Sequence, residues 1–192
     1  MVADAPSRWN IANAVTIGRI ALVPFFAVAL LTDDGESVAW RLVATAIFLV
    51  AALSDRVDGY LARRDNLVTD LGKLLDPIAD KLLIGTALVL LSVLGELPWW
   101  VTVVILAREL GITVMRFFLL RQTVLPASRG GKLKTVLQSV ALTVYLLPLD
   151  HLPGWIRVVA AVVMGLAVAA TLVTGADYVR QAVRIRAAAG AR

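Results

Sequence analysis

The chain has 192 residues, 59% of them hydrophobic, and a mean hydropathy of +0.82. That composition excludes an ordinary soluble domain, and apolar runs of membrane-spanning length recur along it. There is no cysteine and a single histidine, His151, so disulfides, thiolate chemistry and multi-histidine metal sites are excluded; the formal charge of +5 matters mainly for where it falls.

The polar opening MVADAPSRWN lacks a small-residue cleavage site after the first apolar run, so that run reads as a retained span and not a signal peptide. Six helical spans are expected, at 11–31, 39–62, 73–95, 97–120, 133–149 and 154–181. At the helical rise each covers about 30 Å of hydrocarbon, the fifth only just. The connections sort by charge. Arg8, then Arg63, Arg64 and Lys73, then Arg121, Arg129, Lys132 and Lys134, then Arg180, Arg184, Arg186 and Arg192 fall on one side. Asp33, Asp34 and Glu36, then Glu96, then Asp150 and His151 fall on the other, with Arg41 and Arg157 as basic exceptions. The positive-inside rule makes the first side cytoplasmic, with both termini there. Trp40, Trp99, Trp100 and Trp155 gather at the outer ends, where indole rings favour the interface. The expected fold class is an all-α polytopic membrane protein of one domain, 1–192. No repeat is apparent, and the basic tail RQAVRIRAAAGAR either lies on anionic headgroups or frays into solvent.

Between the second and third spans runs SDRVDGYLARRDNLVTDLGKLLDPIADKLL, with four carboxylates, Asp55, Asp58, Asp76 and Asp80. A charged side chain near a bilayer centre costs about 2.5–3.5 kcal/mol on insertion scales, so four acids with Arg63 nearby need a strong partner. Asp55 and Asp58 are spaced i, i+3 and Asp76 and Asp80 i, i+4, so each pair occupies one helix face. Counted from the helix ends, Asp55 and Asp80 lie about eight residues deep, roughly 12 Å, and Asp58 and Asp76 four or five. Two antiparallel helices would present them in two matched tiers. Oxygen-only ligands select hard ions, Mg²⁺ or Mn²⁺. Charge favours two of them: against four carboxylates and Arg63, two divalent ions leave an excess of about +1, which suits a diphosphate bridged in two-metal fashion. Gly59 and Gly72 remove side chains where a phosphate or nucleotide would approach the backbone. Pro77, directly after Asp76, is expected to kink the start of the third span.

The run Asp55-x-x-Asp58-Gly59-x-x-Ala62-Arg63, followed after residues 64–71 by Gly72-x-x-x-Asp76-x-x-x-Asp80, resembles the full signature of the CDP-alcohol phosphotransferase (CDP-alcohol phosphatidyltransferase) family. The six spans look like that family's membrane domain. The opening NIANAVTIGRI, the triplet Ala107-Arg108-Glu109 and the run Gly131-Lys132-Leu133-Lys134-Thr135 resemble its branch that takes glycerol 3-phosphate as acceptor, with Ala12 where a proline is usual. The resemblance implies a reaction in which an acceptor hydroxyl attacks the β-phosphorus of CDP-diacylglycerol and CMP leaves, giving phosphatidylglycerol phosphate. It implies Asp55, Asp58 and Asp76 as metal ligands, Asp80 as general base that also touches a metal, and Asp55, Gly59, Ala62, Arg63 and Gly72 around the CDP-lipid. It further implies a homodimer in a bacterial plasma membrane, its site facing the cytoplasm.

The acceptor's own phosphate needs positive charge that this motif does not spare. Arg116, Lys132 and Lys134 are the expected ligands, with Arg108 and Arg19 as further candidates. Arg108 lies well inside the fourth span and requires a partner there. Adjacent residues on a helix face different directions, so Arg108 and Glu109 are not expected to form one simple salt bridge. Arg19 either binds substrate or snorkels to the cytoplasmic surface. Inositol phosphate or phosphatidylglycerol as acceptor would use the same catalytic half. A divalent-cation transporter is the reading from another class, since intramembrane acids also mark ion pathways. Against it, the acids crowd toward the cytoplasmic half and no repeat symmetry accompanies them.

Overall fold

The computed structural model describes residues 11–64, 69–119 and 129–190; at 11–12, 55–64, 70–71, 73–74, 116–119, 129–132, 182 and 185–190 it describes the backbone alone. Helix boundaries follow the punctuation in the sequence. Helix α1 (Ile11–Leu31) ends in a 3₁₀ turn, Thr32–Gly35, where Asp33, Asp34 and Gly35 take left-handed backbone angles (φ 54°, 52° and 81°). Aspartate and glycine are among the residues that tolerate that region, and the chain reverses there. Helix α2 is Val38–Arg64 and α3 is Asp70–Val93. Thr69 caps α3, its Oγ1 accepting from the Gly72 amide at 3.1 Å. Gly95 (φ 76°) closes α3 at its other end, and Pro98 precedes α4 (Trp99–Leu119). Helix α5 is Arg129–Leu146 and, beyond a 3₁₀ turn at Leu149–His151, α6 is Gly154–Gly190.

The expected elements and these helices coincide closely, with informative differences. Helices α3 and α5 each begin three or four residues earlier than hydropathy places them, because capping and a basic first turn extend a helix past its apolar run. Helix α3 runs through Pro77 as one helix. Helix α6 continues to Gly190, so the described part of the basic tail is helical. Its 37 residues reach roughly 55 Å, more than a bilayer's hydrocarbon core.

Helix α1 packs on α2 and α3, α5 on α6, and α4 on α6, with α3 also touching α4 and α5. The core they enclose contains Phe26, Phe48, Leu83, Leu91, Ile105 and Leu142, with the rings of Phe26 and Phe48 tilted at 45° and 5.9 Å apart. Outward-facing positions are equally apolar: Phe25, Val28, Val50, Val103, Val158 and Leu172 are all more than half exposed. Helices apolar on both faces belong in lipid. Two stretches, Asn13–Gly35 and Gly154–Gln181, are long and apolar enough to cross a membrane, with mean hydropathies of 2.1 and 2.4.

At the end of the bundle where α1 meets α2, Arg41 ties four segments together. It is 5% exposed; its Nη2 donates to Glu96 Oε2 at 2.7 Å and to the Tyr145 carbonyl at 2.9 Å. Its Nη1 donates to Glu96 Oε1 and to the Gly35 carbonyl, and its Nε to the Leu146 carbonyl. Arg157, the other basic residue at this end, donates to Asp150 at 2.6 Å. Both basic exceptions therefore have acidic partners.

Candidate active site

The signature residues lie at the opposite end, where the close of α2 and the start of α3 meet the start of α1. The backbone of Asp55, Asp58, Gly59, Ala62 and Arg63 is in α2, but their side chains lie outside the described residues. Asp76 and Asp80 are on α3, one turn apart. Asp76 is exposed, and Thr16 of α1, itself buried, donates its hydroxyl to Asp76 Oδ1 at 2.8 Å. One turn earlier on α1, Asn13 Nδ2 donates to Thr69 Oγ1 at 2.8 Å. Gly72 belongs to this contact: a Cβ there would lie 2.6 Å from Asn13 Oδ1, so glycine at 72 lets α1 approach α3. Thr16, Asn13 and Thr69 thus set the position of the carboxylate-bearing turn. Their partners are 56 to 60 residues away in sequence, which is why no local pattern pointed to them.

Arg19 does not snorkel. It is 2% exposed, and its Nε donates to Ser54 Oγ on α2 at 3.3 Å, one residue before Asp55. Arg19 therefore stands beside the carboxylate motif at Ser54, whereas Arg108 and Lys134 meet at Glu109 of α4.

Helices α4, α5 and α6 converge on a second polar cluster. Arg108 and Glu109 of α4 do form a direct salt bridge, contrary to expectation, with Arg108 Nη1 2.9 Å from Glu109 Oε1. Their side chains are long enough to meet although their Cβ atoms diverge. The same oxygen accepts from Lys134 Nζ of α5, which is buried. Arg108 is also held from α6: Nη2 donates to Thr174 Oγ1 at 2.8 Å, and the guanidinium lies 5.8 Å from the centre of the Tyr178 ring. A Cβ on Gly175 would come within 3.1 Å of Arg108 Cγ, so that glycine makes room for the arginine. Arg108 Nε is buried with no hydrogen-bond partner among the described residues. One turn after Lys134, Gln138 donates to Thr171 of α6 at 3.2 Å. The side chains of Arg116 and Lys132, also expected here, lie outside the described residues.

Between α3, α4 and α5 is a cavity of about 60 Å³ lined by Asp80, Lys81, Glu109, Lys134 and Gln138, with Leu106 among its apolar walls. Two sequence-predicted residues, Asp80 and Lys134, thus share one space, and Glu109 joins them. A carboxylate able to take a proton lies beside an ammonium able to hold an anion.

The bearing of the site on metal binding is clear in its chemistry. Asp76 and Asp80 offer only oxygen, and Asp76 is exposed while its Oδ1 is held by Thr16. Among the described residues no three acidic or histidine side chains are grouped, the other two aspartates lying outside them.

The family model for CDP-alcohol phosphatidyltransferase matches residues 9–173. A probable phosphatidylglycerophosphate synthase of Mycobacterium tuberculosis is 52% identical over 175 residues, covering 91% of this chain and 82% of the relative. A CDP-diacylglycerol–glycerol-3-phosphate 3-phosphatidyltransferase of Bacillus subtilis is 37% identical, covering 82% of this chain and 92% of the relative. One of the same name from Rickettsia bellii is 38% identical over 174 residues, covering 88% of this chain and 93% of the relative. With its signature aspartates on adjoining helices and a match across most of its length, the chain belongs to the CDP-alcohol phosphatidyltransferase family.

Proposed function

We propose that the protein transfers the phosphatidyl group of CDP-diacylglycerol to sn-glycerol 3-phosphate, giving phosphatidylglycerol phosphate and CMP. The names of the relatives favour this acceptor. The single observation that carries it is the cavity in which Asp80 and the buried Lys134 face one space. A proton acceptor and an anion ligand a short distance apart suit an alcohol that carries its own phosphate.

Asp55, Asp58, Asp76 and Asp80 would hold two divalent ions, Mg²⁺ or Mn²⁺, an assignment that fits an all-oxygen donor set. Bound ions would neutralise the diphosphate and stabilise charge on the leaving CMP. The chain's own residues do the rest. Asp80 takes the proton from the acceptor hydroxyl as its oxygen bonds to the β-phosphorus; the bond to the CMP oxygen breaks, and CMP departs with the electron pair. Thr16 fixes Asp76, and Thr69 caps the start of the helix that carries it. Lys134, Arg108, Arg116 and Lys132 bind the acceptor phosphate, and Gly59, Ala62, Arg63 and Gly72 line the CMP site. Positioning and electrostatics then supply most of the rate, as in phosphoryl transfer generally.

The same reading places six helices across a bacterial plasma membrane as a homodimer, termini and site on the cytoplasmic side. Lipid arrives laterally and acceptor from the cytoplasm. Pairing of Arg41 with Glu96 and of Arg157 with Asp150 supports it, since the basic exceptions to the positive-inside rule are neutralised at the outer end. Purified protein with Mg²⁺ or Mn²⁺, CDP-diacylglycerol and a panel of acceptors, scored by product mass, tests the assignment. CMP release that depends on glycerol 3-phosphate is expected. Turnover with another acceptor alone, or metal flux into liposomes without CMP release, would refute it.

A further inference from the structure

Glu109 sits where an anion-binding site has no evident use for it. Its Oε1 accepts from Arg108 Nη1 and from Lys134 Nζ, and it lines the cavity that Asp80 also lines. An entering phosphate meets a carboxylate that already holds both cations, and like charges repel more strongly where water is scarce. Without that carboxylate, two largely buried cations would lose the one acid that bridges them among the described residues.

We infer that Glu109 is a resident counter-ion of the acceptor site. It holds Lys134 and Arg108 in place while the cavity is empty and competes with the acceptor's phosphate for them, so it sets how tightly a phosphomonoester binds. This rests on the assignment of Arg108 and Lys134 to the acceptor phosphate made above. The two cations have different shares in the exchange. Arg108 is anchored independently by Thr174 and the Tyr178 ring, with Gly175 making room for its stem, so it keeps its place when Glu109 lets go. Lys134 is on a flexible stem and moves from carboxylate to phosphate. Glu109 is a positioning residue: it acts on the substrate through Lys134 and Arg108.

Glu109→Gln keeps an oxygen to accept from Lys134 and removes the negative charge. With CMP release as the readout, the inhibition constant of inorganic phosphate against glycerol 3-phosphate should fall about tenfold, the worth of one charge-assisted hydrogen bond no longer contested. KM for glycerol 3-phosphate should fall with it, while KM for CDP-diacylglycerol stays unchanged. Glu109→Asp, which keeps the charge, should not tighten phosphate binding. A merely structural brace predicts the opposite, weaker phosphate binding with a lower Tm. An unchanged or raised phosphate constant in Glu109→Gln overturns the inference. Lys134→Ala separates the two levels. If it leaves the acceptor KM unmoved, the phosphate-site assignment fails. If it raises that KM while Glu109→Gln brings no tightening, only the counter-ion role fails. Should Glu109→Gln not fold, infrared difference spectra of the wild type carrying ¹³C-labelled glutamate decide: a glutamate carboxylate band displaced by inorganic phosphate supports competition, and an undisturbed one overturns it.

Discussion

Replacing Arg41 by methionine should destabilise the protein without altering its chemistry. The guanidinium makes two bonds to Glu96 and donates to the carbonyls of Gly35, Tyr145 and Leu146, joining the α1–α2 turn, the α3–α4 turn and the end of α5. Methionine fills a similar volume and satisfies none of these acceptors. Removing one partner of a buried ion pair costs about 3–5 kcal/mol. The Glu96 side chain is 26% exposed, so water recovers part of its hydration. The Leu146 carbonyl also keeps a hydrogen bond from Thr45 Oγ1 at 2.9 Å. Both place the loss at the lower end, about 3 kcal/mol, which for a chain of this size lowers Tm by roughly 6–12 °C. Thermal unfolding in detergent, followed by tryptophan fluorescence, reads the shift. Adding Glu96→Gln to Arg41→Met should restore most of the lost stability, since the carboxylate left without its partner causes most of the damage. KM values should not move, because the site is at the other end of the bundle. A Tm within about 2 °C of wild type, where a surface pair would leave it, would refute the argument.

Thr16→Val removes the hydroxyl that orients Asp76 and should lower kcat about tenfold, the effect of one misplaced charge-assisted hydrogen bond, with KM for the acceptor unchanged and little change in Tm. Gly72→Ala drives a methyl into Asn13 Oδ1 and should cost about 1–3 kcal/mol in thermal unfolding; Asn13→Ala in the same chain should relieve it. Gly175→Ala presses on Arg108 Cγ and should raise the acceptor KM more than the CDP-diacylglycerol KM in steady-state assays. Asp80→Asn should abolish CMP release while leaving the far-ultraviolet circular dichroism and Tm near wild type.

What could be read in the chain and what could not divide along a physical line. Helices were legible because apolar runs of bilayer length are rare otherwise, and the punctuation at Gly35, Gly95 and Pro148 is local. Asp76 and Asp80 were legible because helical spacing puts them on one face. Lys134 was expected near the acceptor from its charge beside a motif; that it shares a cavity with Asp80 needed the fold. Arg41 read only as an exception to a charge rule, since nothing in its neighbourhood announces Glu96, 55 residues on. Thr16 and Asn13 looked like ordinary polar residues in an apolar helix, and their purpose appears only once α1 is laid against α3. Glu109 was judged by the directions of adjacent Cβ atoms, a rule that governs short side chains better than long ones.

Helix α6 presents Ala160, Met164, Ala167, Thr171, Thr174 and Tyr178 to its neighbours, at alternating steps of four and three. The upper three are apolar; the lower three include the hydroxyls that meet Gln138 and Arg108. Hydropathy is blind to such a seam, because the residues between are just as greasy. Arithmetic is not blind: one extra alanine after Gly165 would swing everything below it by about 100° and point both threonines into lipid. Drift at the lipid-facing positions of this helix is thus free in composition and forbidden in count, so among diverged copies substitutions should abound at those positions between 160 and 178 while insertions and deletions stay out.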